Sequence, residues 1–200
     1  MKRIFISFLI FFAGSFLVQT KALSYSSDPE GFISEVIDEA KVILSSSSSS
    51  EEKAEKLSEI ALKTVDVKGL AYYTLGKKRK EITPEELKKY EDLFEKYFLK
   101  SFTSRLTDYS DPKINVLSAE VLSEKYTIVK TILLATEKKP QVKIDWRIYT
   151  KDPDKPLIRD LIVEGLKLAR TQKEEFSSIL SSNNNDINAL FAKLEEFINQ

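Results

Sequence analysis

Histidine and cysteine are both absent from the 200-residue chain, and their absence excludes several kinds of chemistry. Neither a Ser-His-Asp triad nor a Cys-His pair can be assembled, and no imidazole or thiolate is available to bind zinc. Disulfides, haem attachment and acylation of a lipoprotein cysteine are excluded as well. We therefore expect a protein that works without covalent chemistry.

The chain also lacks an excess of charge of either sign, since it carries 31 basic and 31 acidic side chains. Three of the basic residues, Lys2, Arg3 and Lys21, lie within the first 22 residues, where there is no acidic residue. The remaining 28 basic and 31 acidic side chains give a net charge of about −3. Nucleic-acid binding needs a basic surface, so this balance argues against nucleic acid as a partner.

Long apolar runs are scarce after the N-terminus, where residues 4–18 form one behind a start with two positive charges. Thr20 and Ala22 provide the small residues that precede a signal-peptide cleavage point. The run is shorter than the roughly 20 residues that cross a bilayer, which disfavours a membrane anchor. We predict a signal peptide over residues 1–22, and a single domain over residues 23–200 without a transmembrane segment. Export of a cysteine-free chain fits the periplasm.

Helical periodicity and capping signals organise the first half of the chain. An aspartate before Pro29 and the capping box Thr83-Pro84-Glu85-Glu86 mark two helix starts. The serine run over residues 45–50 is typical of a flexible connector. Helices are predicted over about residues 29–44, from Glu51 onwards, over Val67–Leu75 and over about residues 84–107.

A period of two replaces the helical pattern from Ile114 onwards. The capping box Thr171–Glu174 and then Asp186 predict two further helices at the C-terminus. An antiparallel four-stranded curved sheet packed against several helices, an α+β fold, follows from this order. The four strands are predicted over residues 114–123, 126–136, 141–150 and 157–168.

Four carboxylates could carry acid–base chemistry or bind a cation: Asp66, Asp145, Asp160 and Glu164. Asp160 and Glu164 are separated by an even number of residues, so a continuous strand would place both on one face of the sheet. The alternative is an exposed strand face with ordinary ion pairs. In a chain with 31 acidic residues this alternative is favoured.

Two segments of the chain carry short motifs in a recognisable order. The first is Ala71–Gly76, followed by the capping box at Thr83 and the aromatic stripe of the long helix. The second runs from Val142 to Phe176, and its most specific part is Asp160–Gly165. In these motifs, and in the order of elements over about residues 30–198, the chain resembles the MlaC-type phospholipid-shuttle proteins, also called the toluene-tolerance family.

The resemblance implies a periplasmic phospholipid-binding carrier whose sheet is of the nuclear-transport-factor-2-like type. It implies no enzyme activity, no catalytic residues, no metal and no cofactor. Such carriers shuttle phospholipid between an inner-membrane ABC transporter complex and an outer-membrane lipoprotein complex, and so maintain the lipid asymmetry of the outer membrane. The acyl chains would be buried and the headgroup exposed. Two alternatives remain: an enzyme of the same fold using carboxylates such as Asp145 or Asp160, and a periplasmic interaction protein that binds no lipid.

Strand alternation and the helical stripe predict which side chains would face such a lipid. Val142 and Thr131 are also predicted to lie on the inner face of the sheet. The alternative is that all these side chains pack on one another without a cavity, because periodicity does not separate a cavity wall from a core. The predicted lipid-binding residues are Tyr72, Leu75, Phe94, Phe98, Phe102, Val129, Leu133, Ile144, Trp146, Ile148, Leu161 and Val163.

Overall fold

The computed structural model describes residues 25–107, 110–137 and 139–200, so the predicted signal peptide lies outside the described residues. The described part contains six α-helices and one antiparallel sheet. The helices are α1 Pro29–Ser45, α2 Ser50–Thr64, α3 Val67–Leu75, α4 Pro84–Leu106, α5 Leu168–Ser182 and α6 Ile187–Asn199, with a 3-10 turn over Gly76–Lys80 after α3. The strands are β1 Ile114–Ser123, β2 Tyr126–Leu133, β3 Val142–Tyr149, β4 Leu157–Val163 and β5 Leu166–Lys167.

The predicted helix starts coincide with side-chain caps. The Asp28 carboxylate accepts the Gly31 N–H at 2.8 Å and so caps α1. At the start of α4, the Thr83 hydroxyl accepts the Glu86 N–H at 3.2 Å, and the Glu86 carboxylate accepts the Thr83 N–H at 2.8 Å. Both caps satisfy backbone donors that the first helical turn leaves free. The predicted α+β fold is confirmed, and these helices begin where the sequence indicates.

The strands follow one another in the sheet in chain order, β1 to β5, as an antiparallel meander. Alternate side chains of β2 are buried, and they include Val129 and Thr131. Trp146 on β3 pairs with Val129 on one side and with Leu161 of β4 on the other. This register places the apolar side chains of three adjacent strands on one inner face of the sheet.

The fourth predicted strand, over residues 157–168, is not continuous. Glu164 and Gly165 have φ angles of 49° and 83°, which form a turn between β4 and β5. Left-handed backbone at two successive residues breaks the extended ladder, and glycine adopts it without steric cost. The sheet therefore has five strands rather than four. Because the turn lies at Glu164, the predicted sharing of one strand face by Asp160 and Glu164 is wrong.

Helix α5 begins at Leu168, three residues before the predicted capping box at Thr171. The Asp160 carboxylate on β4 accepts the Ala169 N–H at 2.9 Å and serves the first turn of this helix. The Thr171 hydroxyl instead donates to the Lys167 carbonyl at 3.2 Å. A cap supplied from nine residues earlier in the chain leaves no local capping pattern, which explains the wrong start.

Two clusters of buried apolar side chains stabilise the fold, one among the later helices and one between the early helices and the sheet. The first cluster contains Val67, Ala71, Leu75, Tyr90, Phe94, Phe176, Leu180, Ile187, Leu190, Phe191 and Leu194. The second contains Phe32, Ile33, Val36, Ile37, Leu44, Leu57, Ile60, Val129, Ile148 and Ile158. Within the ranges described, no helix is both long and apolar enough to cross a bilayer.

Candidate functional site

A cavity of about 840 Å³ lies between the inner face of the sheet and the helices. Its wall includes side chains from both buried clusters and from all six helices of the described part. Ligand pockets in proteins span roughly 300–1,000 Å³, so this cavity is at the upper end. The exposed side chains Arg105, Glu175 and Glu196 belong to its wall, which shows that the cavity opens to solvent.

Three phenylalanines of α4 form a flat apolar wall. The Phe94 and Phe98 rings are stacked with their centroids 6.4 Å apart and their planes 13° apart. Phe98 and Phe102 are stacked in the same way, at 5.8 Å and 11°. The spacing of four residues brings each ring over the next along the helix. The stack exposes one continuous hydrocarbon surface to the cavity.

The opposite wall is the inner face of the sheet, with Trp146 near its centre. The Trp146 indole N–H donates to the Thr131 hydroxyl at 3.0 Å, and the Thr131 hydroxyl donates to the Ile144 carbonyl at 2.8 Å. The polar group of the tryptophan is thus satisfied within the sheet. Its apolar ring surface remains available to the cavity.

Other polar side chains in the wall are satisfied by the protein itself. The Thr64 hydroxyl donates to the Ile60 carbonyl at 2.7 Å. The Thr74 hydroxyl lies 2.9 Å from the Leu70 carbonyl and 2.9 Å from the hydroxyl of the buried Tyr90. A buried hydroxyl without a partner would cost roughly 1–3 kcal/mol. With these partners, the two threonines leave no unsatisfied hydroxyl group in the apolar interior.

Eight of the twelve predicted residues line this cavity. They lie on α4, β2, β3 and β4, which the fold brings together from positions far apart in the chain. The eight are Phe94, Phe98, Phe102, Leu133, Ile144, Trp146, Leu161 and Val163.

The other four predicted residues, Tyr72, Leu75, Val129 and Ile148, do not line the cavity. The Tyr72 hydroxyl donates to the Glu91 carboxylate on α4 at 2.5 Å, outside the cavity. Leu75 is buried in the helical cluster, and Val129 and Ile148 are fully buried in the cluster between the sheet and the early helices. The prediction that these four line the cavity therefore differs from the structure, where Tyr72 is half-buried and the other three lie in the core. Strand alternation and helical spacing give the direction of a side chain but not what covers it.

Much of the cavity wall comes from helices whose residues the sequence did not single out. Their amphipathic stripes are visible in the sequence, but such a stripe has the same spacing whether it faces a core or a cavity. The apolar members from α1, α2, α5 and α6 are Val36, Ile37, Ala40, Leu44, Leu57, Ile60, Ala61, Leu168, Ala169, Phe176, Ile179, Leu194 and Phe197.

A polar bridge joins α4 to α5 in the cavity wall. The Tyr97 hydroxyl donates to the Gln172 side-chain oxygen at 2.6 Å, and the Gln172 amide donates to the Glu175 carboxylate at 2.9 Å. Burial raises the pKa of the Tyr97 hydroxyl, and the nearby Glu175 acts in the same direction. The tyrosine therefore stays neutral around neutral pH, and the bridge fixes the spacing of the two helices.

The carboxylates considered for catalysis have structural contacts. Asp66 caps α3 by accepting the Gly69 N–H at 2.9 Å, and it forms an ion pair with Arg159 at 2.5 Å. Glu164 accepts the Lys143 N–H beside the turn. Neither Asp66 nor Glu164 lines the cavity, and Asp145 does not line it either.

Asp160 does line the cavity, and burial raises the pKa of its carboxyl group despite the hydrogen bond from Ala169. A raised pKa in the folded state means that ionisation at neutral pH opposes folding. Asp160→Asn keeps an oxygen that can accept the Ala169 N–H and removes the charge. Asp160→Ala removes the acceptor.

We expect Asp160→Asn to leave the free energy of unfolding unchanged within about 0.5 kcal/mol, or to raise it, at neutral pH. Asp160→Ala is expected to lower it by about 1 kcal/mol, as the loss of a helix cap does. Urea denaturation of the two variants checks this. If the asparagine variant were as unstable as the alanine variant, the ionised carboxylate rather than the cap would stabilise the fold.

Comparison with known proteins gives a family and solved structures of similar fold. No curated protein matches the chain. A solved structure of the phospholipid-binding protein from Ralstonia solanacearum, in complex with a phospholipid, is similar to this chain with a TM-score of 0.74 and 16% sequence identity, covering 86% of this chain and 98% of that one. At that identity the likeness shows the fold. The family described as MlaC protein matches residues 34–196, which is most of the sequence, and this chain therefore belongs to the MlaC family.

Proposed function

We propose that this protein is a periplasmic carrier that binds one phospholipid with its acyl chains in the cavity and its headgroup in solvent. The observation that carries the proposal is the large cavity whose wall is mainly hydrocarbon and whose threonine and tryptophan polar groups are satisfied within the protein. Such a wall suits a long apolar ligand that brings no polar atoms into the interior.

The energetics of phospholipid in water explain why a carrier needs such a cavity. Two acyl chains contain about 30 methylene groups, and at about 0.8 kcal/mol each their exposure to water costs on the order of 25 kcal/mol. Transfer from a bilayer to an apolar cavity exchanges one hydrocarbon environment for another, so its net free energy is small. The large barrier is desorption through water, and docking on a membrane complex would avoid it.

We assign the acyl-chain contacts to the eight predicted residues that line the cavity. The phenylalanine stack of α4 and Trp146 on β3 provide its aromatic surfaces. The added lining from α1 and α2 extends the same apolar wall.

Membership of the MlaC family and the similarity to a fold that holds a phospholipid in the Ralstonia protein support this proposal. On the same basis we propose that the cargo moves between an inner-membrane ABC transporter complex and an outer-membrane lipoprotein complex, and that this movement maintains the lipid asymmetry of the outer membrane. No step in this role requires chemistry on the lipid, and we propose a carrier rather than an enzyme.

Location in the periplasm rests on the sequence of residues 1–22, with its basic start, short apolar run and small residues before the expected cleavage point. We propose that residues 23–200 form one exported domain. The intact mass of protein from the periplasmic fraction should match a chain that starts at or within a few residues of Leu23. A chain that retains Met1 and sediments with membranes would contradict export.

The carrier role is tested by phospholipid transfer between two populations of vesicles. Vesicles with a labelled phospholipid serve as donors, unlabelled vesicles as acceptors, and the protein should accelerate the exchange in proportion to its concentration. An enzyme would convert the phospholipid to a product that chromatography of the recovered lipid detects. A protein with an ordinary core would do neither, and either of these outcomes would overturn the proposal.

A further inference from the structure

Three cationic side chains line the cavity, and they differ in their partners. Lys41 on α1 forms an ion pair with Asp38 at 3.6 Å, and Lys193 on α6 forms one with Glu196 at 2.7 Å. Arg105 near the end of α4 is exposed and, within the described part of the chain, has no ion pair with any carboxylate. Its guanidinium is therefore the lining cation that is available to an anionic ligand.

Arg105 lies where the polar and apolar stripes of α4 meet. Tyr97, Ser101 and Arg105 recur every four residues and all line the cavity, so they form a polar stripe. The stacked Phe98 and Phe102 form the adjacent apolar stripe. A ligand whose chains lie along the phenyl rings would thus have its polar end within reach of a guanidinium at the exposed end of the helix.

The acidic side chains of the wall are already engaged. Asp160 accepts the Ala169 N–H, and Glu175 accepts the Gln172 amide. Glu196, the third lining carboxylate, is the ion-pair partner of Lys193. Among the described side chains of the wall, these contacts leave no unengaged carboxylate to compete for Arg105.

We propose that Arg105 binds the phosphate of the phospholipid headgroup at the mouth of the cavity. The inference rests on the proposed function and names the group that orients the ligand in the site. A guanidinium donates two parallel N–H bonds to phosphate oxygens, a geometry that an ammonium group does not reproduce. Because all glycerophospholipids carry this phosphate, the contact orients the lipid without selecting its headgroup.

The experiment compares lipids that have the same palmitoyl and oleoyl chains but differ in the phosphate. Purified protein is equilibrated with vesicles that contain phosphatidylglycerol, phosphatidylethanolamine and diacylglycerol, and the lipid recovered with the protein is quantified by mass spectrometry. Arg105→Gln removes the charge and keeps a polar side chain. The matched control is Arg170→Gln on α5, because Arg170 is exposed, pairs with Glu174 and does not line the cavity.

We expect the unsubstituted protein to favour both phospholipids over diacylglycerol by about tenfold, the size of one charge-assisted hydrogen bond. Arg105→Gln should abolish this preference while the uptake of diacylglycerol is unchanged, and Arg170→Gln should keep it. Millimolar inorganic phosphate should not displace the lipid, since free phosphate gains nothing from the apolar wall.

Three results would overturn the inference in distinguishable ways. An unchanged preference in Arg105→Gln, or an equal loss in Arg170→Gln, would remove Arg105 from the headgroup site and leave the carrier function intact. Displacement of lipid by inorganic phosphate would assign the guanidinium to free phosphate instead. A protein that takes up neither phospholipid nor diacylglycerol would overturn the proposed function and this inference with it.

Discussion

Val163→Glu is expected to remove the phospholipid from the protein without unfolding it. Val163 lines the cavity at the end of β4, where it pairs with Ile144. An unpartnered polar group against an acyl chain costs about 1–3 kcal/mol, and a carboxylate costs more. Even 3 kcal/mol corresponds to a loss of more than about a hundredfold in affinity. The fold tolerates the change because the new side chain enters an existing cavity rather than a packed core.

Val121→Glu is the matched control for this change. Val121 lies on β1 of the same sheet, is 76% exposed and does not line the cavity. The control should keep the full lipid load and the thermal transition of the unsubstituted protein. Trp146→Glu repeats the test at the centre of the sheet and should also empty the cavity. If Val163→Glu and Trp146→Glu both unfold, or both keep their lipid, the cavity assignment is wrong.

Leu190→Ala is expected to lower the free energy of unfolding by about 2–5 kcal/mol, the cost of an internal cavity in a packed core. Leu190 is fully buried in the helical cluster and does not line the lipid cavity. Lipid uptake by the folded fraction should therefore be retained. Urea denaturation of protein freed of lipid measures the change, since a bound ligand would add stability of its own.

Leu62→Ala provides the comparison for this truncation, because Leu62 on α2 is 48% exposed. Its free energy of unfolding should change by no more than about 0.5 kcal/mol. Stability and ligand binding should therefore respond to different residues: Leu190→Ala weakens the fold and keeps the ligand, whereas Val163→Glu keeps the fold and loses the ligand. Loss of lipid in a folded Leu190→Ala protein would show that the helical cluster and the cavity are not separate.

Local signals were sufficient for most of the fold. The caps at Asp28 and Thr83 act within one helical turn, so the starts of α1 and α4 could be predicted from the sequence. The start of α5 could not be predicted, because the backbone N–H of Ala169 in its first turn donates to Asp160, which lies on strand β4. The turn at Glu164 and Gly165 could not be predicted either, since an apolar run on both sides of a glycine fits a continuous strand as well as a turn between two strands.

The candidate site could be predicted only in part, for a related reason. The sequence pattern predicts an inward direction for Trp146 and Phe98, which line the cavity, and equally for Val129 and Ile148, which pack against the early helices instead. Alternation and helical spacing determine the direction of a side chain. Whether that direction leads to a core or to a void depends on how far the opposing helix stands from the sheet, which is a property of the whole fold.

Native mass spectrometry of the intact protein, purified without detergent, tests whether it carries a phospholipid. We expect a complex whose added mass equals one glycerophospholipid, and extracted lipids whose headgroups follow the composition of the host membrane, because the proposed contacts involve the acyl chains and the shared phosphate. A protein that carries no lipid under these conditions, or that carries a ligand without acyl chains, would not be a phospholipid carrier.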